Sequence, residues 1–390
     1  MTATRTSLSG ARLVTATGTV DGGRLTVEGA LITGFGGTPE PGDVDLTGYL
    51  VVPGFVDLHV HGGGGASYTS ADGEEVMAAA RFHRLHGTTT TVASTVTAEL
   101  DELCHQAAVL AELTQDGVLA GVHFEGPFIA RGRCGAHAPA LLRDPAPEPL
   151  GRLLDAAKGH ARMVTLAPEL PGGLDAVRTL VDAGVVAAVG HSAADYRTVR
   201  AAIDAGATVA THLFNGMPAL GHRDPGPVGA LLEDDRVTVE LIDDGVHVHP
   251  AVVGLVHRAV GAGRIALVTD AMSAAGMGDG AYRLGPLDIR VRAGVAELAD
   301  SSSIAGSTLT LDRAFKRAVT VDGFTPEQAS RSLSAVPARL LGLGDRVGSL
   351  ETGKQADLVV LDAAHDVVAV MQKGVWVAGA GHLPTLRAKS

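Results

Sequence analysis

Histidine and carboxylate residues stand at or just after the ends of several short apolar segments, where folding would bring them together. Four imidazoles and a carboxylate form a ligand set that suits zinc or iron(II). A bound cation with an open coordination position would lower the pKa of water to about 7 and so supply hydroxide near neutral pH. The candidates for this chemistry are His59, His61, Glu125, His191, His212 and Asp270.

Short apolar segments alternate with Ala- and Leu-rich helical patterns, and this alternation predicts an α/β fold with a (β/α)8 TIM-like barrel. The predicted strands are 55–60, 88–93, 118–124, 162–167, 185–189, 207–211, 237–242 and 264–269. The predicted helices between them are 72–86, 98–115, 147–159, 174–183, 193–205 and 250–262. Since the carboxyl ends of barrel strands meet at one rim, the candidate residues are expected to converge there.

The six candidate residues together are stronger evidence for a metal site than any one of them alone. A single histidine at a strand end is usually a satisfied polar residue, so His59-x-His61 alone would be a weak metal signal. Both rings can point inward because alternate strand positions share a face. Six such residues at the ends of five predicted strands together predict a metal site. The segment 213–235, rich in proline and glycine, is predicted to be a functional loop at the same rim.

The two ends of the chain predict a second, smaller domain. Residues 11–50 and 357–378 contain short strand patterns separated by glycines and turns, as in an antiparallel sheet. The simplest interpretation joins residues 1–53 and 345–390 into one small β-sandwich domain. The barrel, at residues 54–344, would then interrupt that domain.

The composition is that of a globular protein. The chain has 390 residues, of which 46% are hydrophobic and 19% charged, and this balance argues against disorder. A net charge of -12 argues against nucleic-acid binding. Two cysteines exclude a disulfide scaffold and suit a reducing cytoplasm. No apolar run approaches about 18 residues, so we expect no membrane span, and we expect no signal peptide.

Several motifs resemble the amidohydrolase superfamily. His59-x-His61 after Pro53-Gly54-Phe55-Val56-Asp57 is one, and GSLETGKQADLV at 348–359 is similar to the superfamily's C-terminal sheet signature. Narrower motifs resemble the N-acetylglucosamine-6-phosphate deacetylase family, and the resemblance covers nearly the whole chain. These motifs are HFEGPF at 123–128, GHS at 190–192, THLFNGMP at 211–218, TDAM at 269–272 and IAGS at 304–307.

The resemblance implies a metal centre. Glu125, His191 and His212 match the family's principal ligands, and His59 and His61 match the second site of its two-metal members. One or two divalent cations are therefore expected, with Glu125 bridging a pair. Zinc is the first choice, and iron, cobalt or manganese are alternatives. Many amidohydrolases instead bridge two metals with a carbamylated lysine after strand four, but that position reads LAPE at 166–169.

The resemblance also implies a reaction. Asp270 matches the catalytic carboxylate, which takes a proton from water and delivers it to the leaving amine. The expected reaction converts N-acetylglucosamine 6-phosphate to glucosamine 6-phosphate and acetate. Residues that match substrate contacts are Ala136, His137, Asn215, Gly216, Arg223, His247 and Ile304.

In the family, the arginine that matches Arg223 crosses a dimer interface, so a homodimer is expected here as well. Two alternatives remain open from the sequence. One is an amidohydrolase that acts on another N-acyl or cyclic amide substrate. The other is a catalytically inactive scaffold on the same fold, which would require a missing ligand or a missing catalytic aspartate.

Overall fold

The computed structural model describes residues 5–301 and 303–384. Contacts divide the described residues into two compact units. The larger unit contains Asp57–Phe82 and Thr91–Thr310. The smaller unit contains the described residues up to Val56, the segment His83–Thr90, and those from Leu311 onward. No helix among the described residues is long and apolar enough to cross a membrane.

The larger unit is built on a parallel sheet whose strands pair in chain order. Its eight strands, here called barrel strands one to eight, are Phe55–Val60, Thr88–Thr95, Gly121–Glu125, Ala161–Leu166, Val186–Val189, Val209–Ala210, Thr238–Ile242 and Ile265–Val268. Strand one is joined to the residues just after strand eight, where the Asp270 amide donates to the His59 carbonyl over 2.8 Å. The nearly closed sheet confirms the predicted barrel.

Helices follow the barrel strands, as the apolar periodicity predicts. They are Gly73–Leu85, Leu100–Gln115, Pro147–Ala156, Gly173–Asp182, Tyr196–Asp204, Gly226–Glu233 and Pro250–Val260. Tyr196–Asp204 is a clear example. It buries Val199 and Ile203, which lie one turn apart on the same face. It begins at Asp195, whose carboxylate accepts a hydrogen bond from the Thr198 amide, an N-cap that satisfies an orphan donor.

One helix corrects the sequence prediction. The segment 213–235 was expected to be a loop, but Gly226–Glu233 within it is helical. Its prolines and glycines suggested a break, yet Pro227 lies in the first turn, where the missing N–H has no intrahelical partner to lose. Val228 and Leu231 are buried and anchor the helix. The irregular part of this segment that precedes the helix is therefore residues 213–225.

The smaller unit contains a mixed sheet made from both chain ends. In spatial order its strands are Val375–Ala378, Val367–Gln372, Leu358–Leu361, Leu50–Pro53, Arg5–Thr15, Gly18–Glu28 and Leu31–Phe35, with Val44–Asp45 paired to Arg5–Thr15. The two ends meet where Leu358–Leu361 runs antiparallel to Leu50–Pro53. The predicted small β domain is thus one continuously hydrogen-bonded sheet of eight strands in the described residues.

Three further helical segments belong to the smaller unit. They are the α-helices Leu311–Thr320, Pro326–Ser330 and Val336–Leu340, the last two joined by a π-helical turn at Arg331–Ala335. Helices were predicted here, near 308–320 and 326–341. Compactness groups these residues with the chain-end sheet, while the predicted limits 1–53, 54–344 and 345–390 remain a prediction.

An antiparallel insertion follows barrel strand eight. Its strands are Gly280–Leu284, Leu287–Arg292 and Val295–Leu298. Leu284, Ile289 and Val291 share an apolar cluster with Val96, which follows barrel strand two. The cluster holds the insertion against the carboxyl-end rim of the barrel. The remaining short elements are the strand pair Gly62–Gly63 and Ala66–Ser67 and the 3-10 turns Arg131–Arg133, Pro139–Leu141, Ala262–Arg264 and Ala380–His382.

Candidate metal centre and active site

The six residues singled out from the sequence lie together at the carboxyl ends of the barrel strands, and all six are buried. They form two overlapping groups in which the potential ligand atoms all lie within 4.8 Å of one another. One group is His59, His61, Glu125 and Asp270, and the other is Glu125, His191 and His212. Glu125 belongs to both groups, so it is placed to join two cation subsites.

The two oxygens of the Glu125 carboxylate face different histidines. Its Oε1 lies 2.9 Å from His212 Nε2 and 3.1 Å from His191 Nε2. Its Oε2 lies 3.1 Å from His61 Nε2 and 3.4 Å from His59 Nε2. Each carboxylate oxygen therefore faces its own pair of imidazole nitrogens. This is the arrangement that a bridging carboxylate requires.

In His61 and His191 the ring nitrogen that faces away from Glu125, Nδ1, shows that the nitrogen facing Glu125, Nε2, is available as a ligand. His61 Nδ1 lies 3.2 Å from the Ser94 carbonyl, and His191 Nδ1 lies 2.7 Å from the Arg133 carbonyl. A carbonyl only accepts, so each Nδ1 carries the proton and each Nε2 offers a lone pair. Such outer contacts are typical of metal-binding histidines. Since His191 Nε2 and His212 Nε2 converge to 3.0 Å, the donor set fits a divalent cation.

The electrostatics of the site keep both carboxylates ionised. Burial alone would raise the pKa of Glu125, but the surrounding imidazoles, His59 first among them, lower it well below its usual range. Burial would likewise raise the pKa of Asp270, but the neighbouring imidazoles, His59 first and then His61, lower it to about 2. Both side chains therefore present anionic oxygens at neutral pH.

Backbone contacts on both sides hold Asp270 at the edge of the first group. Its amide is bonded to the His59 carbonyl, and its own carbonyl accepts from the Ser307 amide over 2.7 Å. Its Oδ1 lies 3.1 Å from His61 Nε2. These contacts thus fix the Asp270 carboxylate against His61.

Three of these residues have a left-handed backbone. The φ angle is 48° at His191, 26° at His212 and 48° at Asp270, a region that residues other than glycine rarely adopt. Each residue follows the end of a barrel strand by two positions. The abrupt change of direction there turns the side chain back over the mouth of the barrel, whereas a continued strand would carry it past the site.

A cavity of about 340 Å³ opens directly over the two groups. Six of the seven residues predicted to contact substrate line it, namely Ala136, His137, Asn215, Gly216, His247 and Ile304. Val96 and Leu284 form an apolar part of the same wall. Arg223 is exposed and lies outside the described residues that line the cavity, so the structure does not bring it to its own chain's site.

His137 is held as a neutral donor. Its Nδ1 accepts from the Thr97 amide over 3.3 Å and lies 2.8 Å from Thr97 Oγ1. The proton therefore resides on Nε2, which lies 3.4 Å from Glu125 Oε2. Burial lowers the pKa of His137 to about 4. At neutral pH the ring thus offers an N–H to the cavity and carries no charge.

The protonated form of His247 is stabilised by its neighbour Asp244. Asp244 Oδ2 lies 2.7 Å from His247 Nδ1, and Asp244 Oδ1 accepts from the amides of Val246 and His247. Burial alone would lower the pKa of His247, but the hydrogen bond and charge of Asp244 raise it. The ring therefore keeps its proton to a higher pH than an isolated imidazole would.

Gly216 needs its lack of a side chain. Its φ is 63°, and a Cβ atom there would lie 2.8 Å from His191 Nδ1 and 3.3 Å from the His191 Cα. The Gly216 carbonyl accepts from the Ser192 amide over 3.1 Å. Beside it, Asn215 Nδ2 donates to the His212 carbonyl over 3.1 Å. This pair therefore couples the end of barrel strand six to the end of strand five.

Two buried carboxylates of the site escaped the sequence analysis. Glu240 lies in barrel strand seven, and Asp57 lies in strand one two residues before His59. Asp57 accepts a hydrogen bond from Thr269 Oγ1 over 2.6 Å. The available signal was an acidic residue inside an apolar strand pattern, as in VTVELI at 237–242, since such a residue is rarely buried without a partner. Lys158, the lysine that precedes barrel strand four, is on the surface and pairs with Glu112, so it is not a bridging ligand.

A model of the amidohydrolase family matches residues 50–380 of this chain. The chain belongs to the amidohydrolase family. Solved structures of more distant proteins, such as an enamidase with 17% identity and a TM-score of 0.63, share the fold of this amidohydrolase. The two overlapping His and carboxylate groups at the barrel rim are thus set in a family fold.

Several relatives of this amidohydrolase are deacetylases of amino-sugar phosphates. N-acetylgalactosamine-6-phosphate deacetylase from Escherichia coli O157:H7 is 38% identical over 376 residues, covering 94% of this chain and 97% of that protein. N-acetylglucosamine-6-phosphate deacetylase from Vibrio furnissii is 39% identical over 347 residues, covering 88% and 85%. The solved N-acetyl-D-glucosamine-6-phosphate deacetylase from Mycobacterium smegmatis is 48% identical, with a TM-score of 0.92, and covers 96% of this chain and 100% of that one.

The His247–Asp244 pair gives a pH prediction. Because the pKa of His247 is raised, the charged pair is present at lower pH and is lost as the pH rises through that pKa. Asp244→Asn removes the anion, so the ring should lose its proton at a lower pH than in the wild-type protein. Side-chain NMR titration of the histidines measures this directly. An unchanged His247 titration would contradict the assignment, and His257 serves as a reference that should not move.

Proposed function

We propose that this chain is a metal-dependent deacetylase that hydrolyses N-acetylglucosamine 6-phosphate to glucosamine 6-phosphate and acetate. One observation carries the proposal. The Glu125 carboxylate joins two pairs of imidazoles beside an ionised Asp270, under a cavity of about 340 Å³ lined by hydrogen-bond donors. The relatives that act on amino-sugar phosphates support the choice of substrate.

The metal-binding roles follow from the two groups. Glu125, His191 and His212 would hold one cation, and His59, His61, Glu125 and Asp270 would hold a second. Zinc suits this nitrogen and oxygen set best, and iron, cobalt or manganese are alternatives. When bound, the cations would polarise the acetyl carbonyl and lower the pKa of a coordinated water.

Asp270 is the general base and acid in this proposal. Its ionised carboxylate, fixed by backbone contacts on both sides, accepts a proton from the attacking water. It then returns the proton to the sugar nitrogen as the C–N bond breaks, because an amine leaves more readily than an amide anion. His137 donates its Nε2–H to the acetyl oxygen, on which negative charge develops. Since the ring is already neutral at physiological pH, this donation needs no change of protonation.

The remaining contacts orient the sugar phosphate. His247 bonds to a sugar hydroxyl, and Ile304 packs against the sugar ring, beside the Ala136 backbone. The Asn215 side chain and the Gly216 amide bind phosphate oxygens. Arg223 adds a guanidinium, which matches phosphate in geometry and charge. Since the net charge of -12 repels an anionic substrate, local donors must supply the attraction.

Arg223 leads to a proposal about assembly. The side chain is exposed and outside its own chain's cavity, so we propose a homodimer in which Arg223 reaches the partner's site. In a symmetric dimer both sites would be completed in this way. We also propose a cytoplasmic location, which both free thiols, Cys104 and Cys134, support.

The substrate is tested by acetate release from three compounds with the zinc-loaded protein. N-acetylglucosamine 6-phosphate should be hydrolysed with the highest kcat/KM, and its unphosphorylated form at least about tenfold less well, since each charge-assisted phosphate contact contributes about 1.5–3 kcal/mol. N-acetylgalactosamine 6-phosphate is the second candidate, because of the Escherichia coli relative. A preference for it would replace the proposed substrate, and no acetate from any of the three would refute the deacetylase.

Asp270→Asn tests the proton transfer. The change preserves shape but removes the base, so kcat should fall by about 10²–10⁴ with little change in KM. Metal analysis is the control, because the cation held by Glu125, His191 and His212 should remain bound. A variant that retains most of its kcat would refute this role of Asp270.

Arg223→Ala tests both phosphate binding and the dimer. It should lower kcat/KM by about 10- to 100-fold on the phosphorylated sugar and much less on the unphosphorylated one. Mixing it with Asp270→Asn should then restore about a quarter of the wild-type activity, because half of the dimers are mixed and each has one intact site. An equal loss on both sugars would refute the phosphate role. No recovery despite proven subunit exchange would refute contribution across the interface.

A further inference from the structure

Glu240 is a buried carboxylate that touches both metal subsites without belonging to either. It lies in the middle of barrel strand seven, with no solvent exposure. Its Oε2 lies 3.2 Å from His59 Nδ1 and 3.2 Å from the backbone nitrogen of His212. His59 belongs to one subsite and His212 to the other, so one oxygen atom contacts the outer edges of both.

His59 differs from its neighbours in this contact. The Nδ1 atoms of His61 and His191 meet neutral backbone carbonyls, whereas His59 Nδ1 meets a side-chain carboxylate oxygen. A carboxylate on the outer nitrogen fixes the tautomer and makes the inner nitrogen a stronger electron donor. The ion held by His59 and His61 should therefore depend on the charge of Glu240, and the other ion should not.

At His212 the contact with Glu240 acts on the shape of the backbone. The backbone there has φ 26°, a strained value that persists only when neighbouring contacts enforce it. Glu240 supplies two such contacts. Its carboxylate accepts from the His212 amide over 3.2 Å, and its own carbonyl accepts from the Leu213 amide over 2.9 Å. Both bonds fix the turn that aims His212 Nε2 at Glu125, and neither requires a charge.

We propose that Glu240 is a positioning residue with two separable actions. Its charge sets the affinity of the His59/His61 subsite, and its oxygen clamps the backbone that orients His212 in the other subsite. The inference rests on the proposed two-cation centre. It goes beyond that centre because Glu240 is not a ligand in either group.

The local surroundings make the two actions separable by mutation. Glu240 Oε1 is buried without a hydrogen-bond partner among the described residues, so both contacts depend on Oε2. Glu240→Gln can keep an oxygen at that position and lose only the charge. Glu240→Ala loses the charge and the side-chain contact to the His212 amide, and keeps only the backbone bond to Leu213. Thr95→Val is a matched control, because Thr95 is equally buried in barrel strand two and its Oγ1 also has no partner among those residues.

The test titrates metal-free protein with Zn²⁺ against a chromophoric chelator and needs no substrate. The wild-type protein and Thr95→Val should bind two ions per chain. Glu240→Gln should weaken the His59/His61 subsite by about 10- to 100-fold, the usual effect of losing an outer contact, and leave the other subsite unchanged. Glu240→Ala should weaken both. In a His59→Gln background, Glu240→Gln should have no further effect on the remaining ion.

The outcomes distinguish this inference from the proposed centre. One ion per wild-type chain would refute the two-cation centre itself. Two ions with unchanged affinities in Glu240→Gln would overturn the inference alone, as would an equal loss at both subsites. A loss at only the His59/His61 subsite in Glu240→Ala would overturn the clamp.

A further measurement requires no Glu240 variant. In ¹⁵N-histidine NMR of the zinc-loaded wild-type protein, the Nδ1 proton of His59 should lie downfield of those of His61 and His191, because its acceptor is charged. The His59→Gln variant assigns the signal. Three equivalent proton shifts would also overturn the inference.

Discussion

The buried carboxylate of Glu125 constrains the geometry of the whole site, because an anion can be buried only if it is fully paired. It meets five imidazoles, four of them from the two subsites and the fifth being His137. Those rings come from barrel strands one, five and six and from the segment after strand three. For their nitrogens to lie about 3 Å from one carboxylate, these backbone segments must be held accurately in register. The barrel supplies that accuracy, since each strand is bonded to its neighbours.

The seam of the barrel lies at the site as well. Strands one and eight close through Asp57, which accepts from the side chain of Thr269 over 2.6 Å and from its amide over 3.3 Å. Burial raises the pKa of Asp57 to about 7, so this contact is made by a group whose charge is costly to bury. The next residue is Asp270, bonded to the carbonyl of His59. The contacts that close the barrel therefore also place the Asp270 carboxylate, the proposed general base.

The sequence was most informative where local rules act alone. Apolar segments that end in His or Glu predicted the barrel strands and the convergence of their polar ends, because strand periodicity fixes which residues share a rim. Glu240 and Asp244 were not predicted, since their roles depend on contacts with residues distant in sequence or on the fold of a loop. The helix Gly226–Glu233 was missed because tertiary burial of its apolar face overrode weak local propensity. Arg223 was placed with the substrate by resemblance, and in this chain it lies outside the cavity, which is why we assign its contact to a proposed dimer.

The left-handed backbone at His191, His212 and Asp270 has a consequence for how this protein can evolve. Glycine would relieve the backbone strain at each of the three positions, because it adopts positive φ without strain. Selection for stability alone would therefore favour the loss of the side chains to which we assign the chemistry. Function and folding compete at these three turns, and the strain persists only while the activity is under selection. A descendant released from that selection should change first at these positions and keep its barrel.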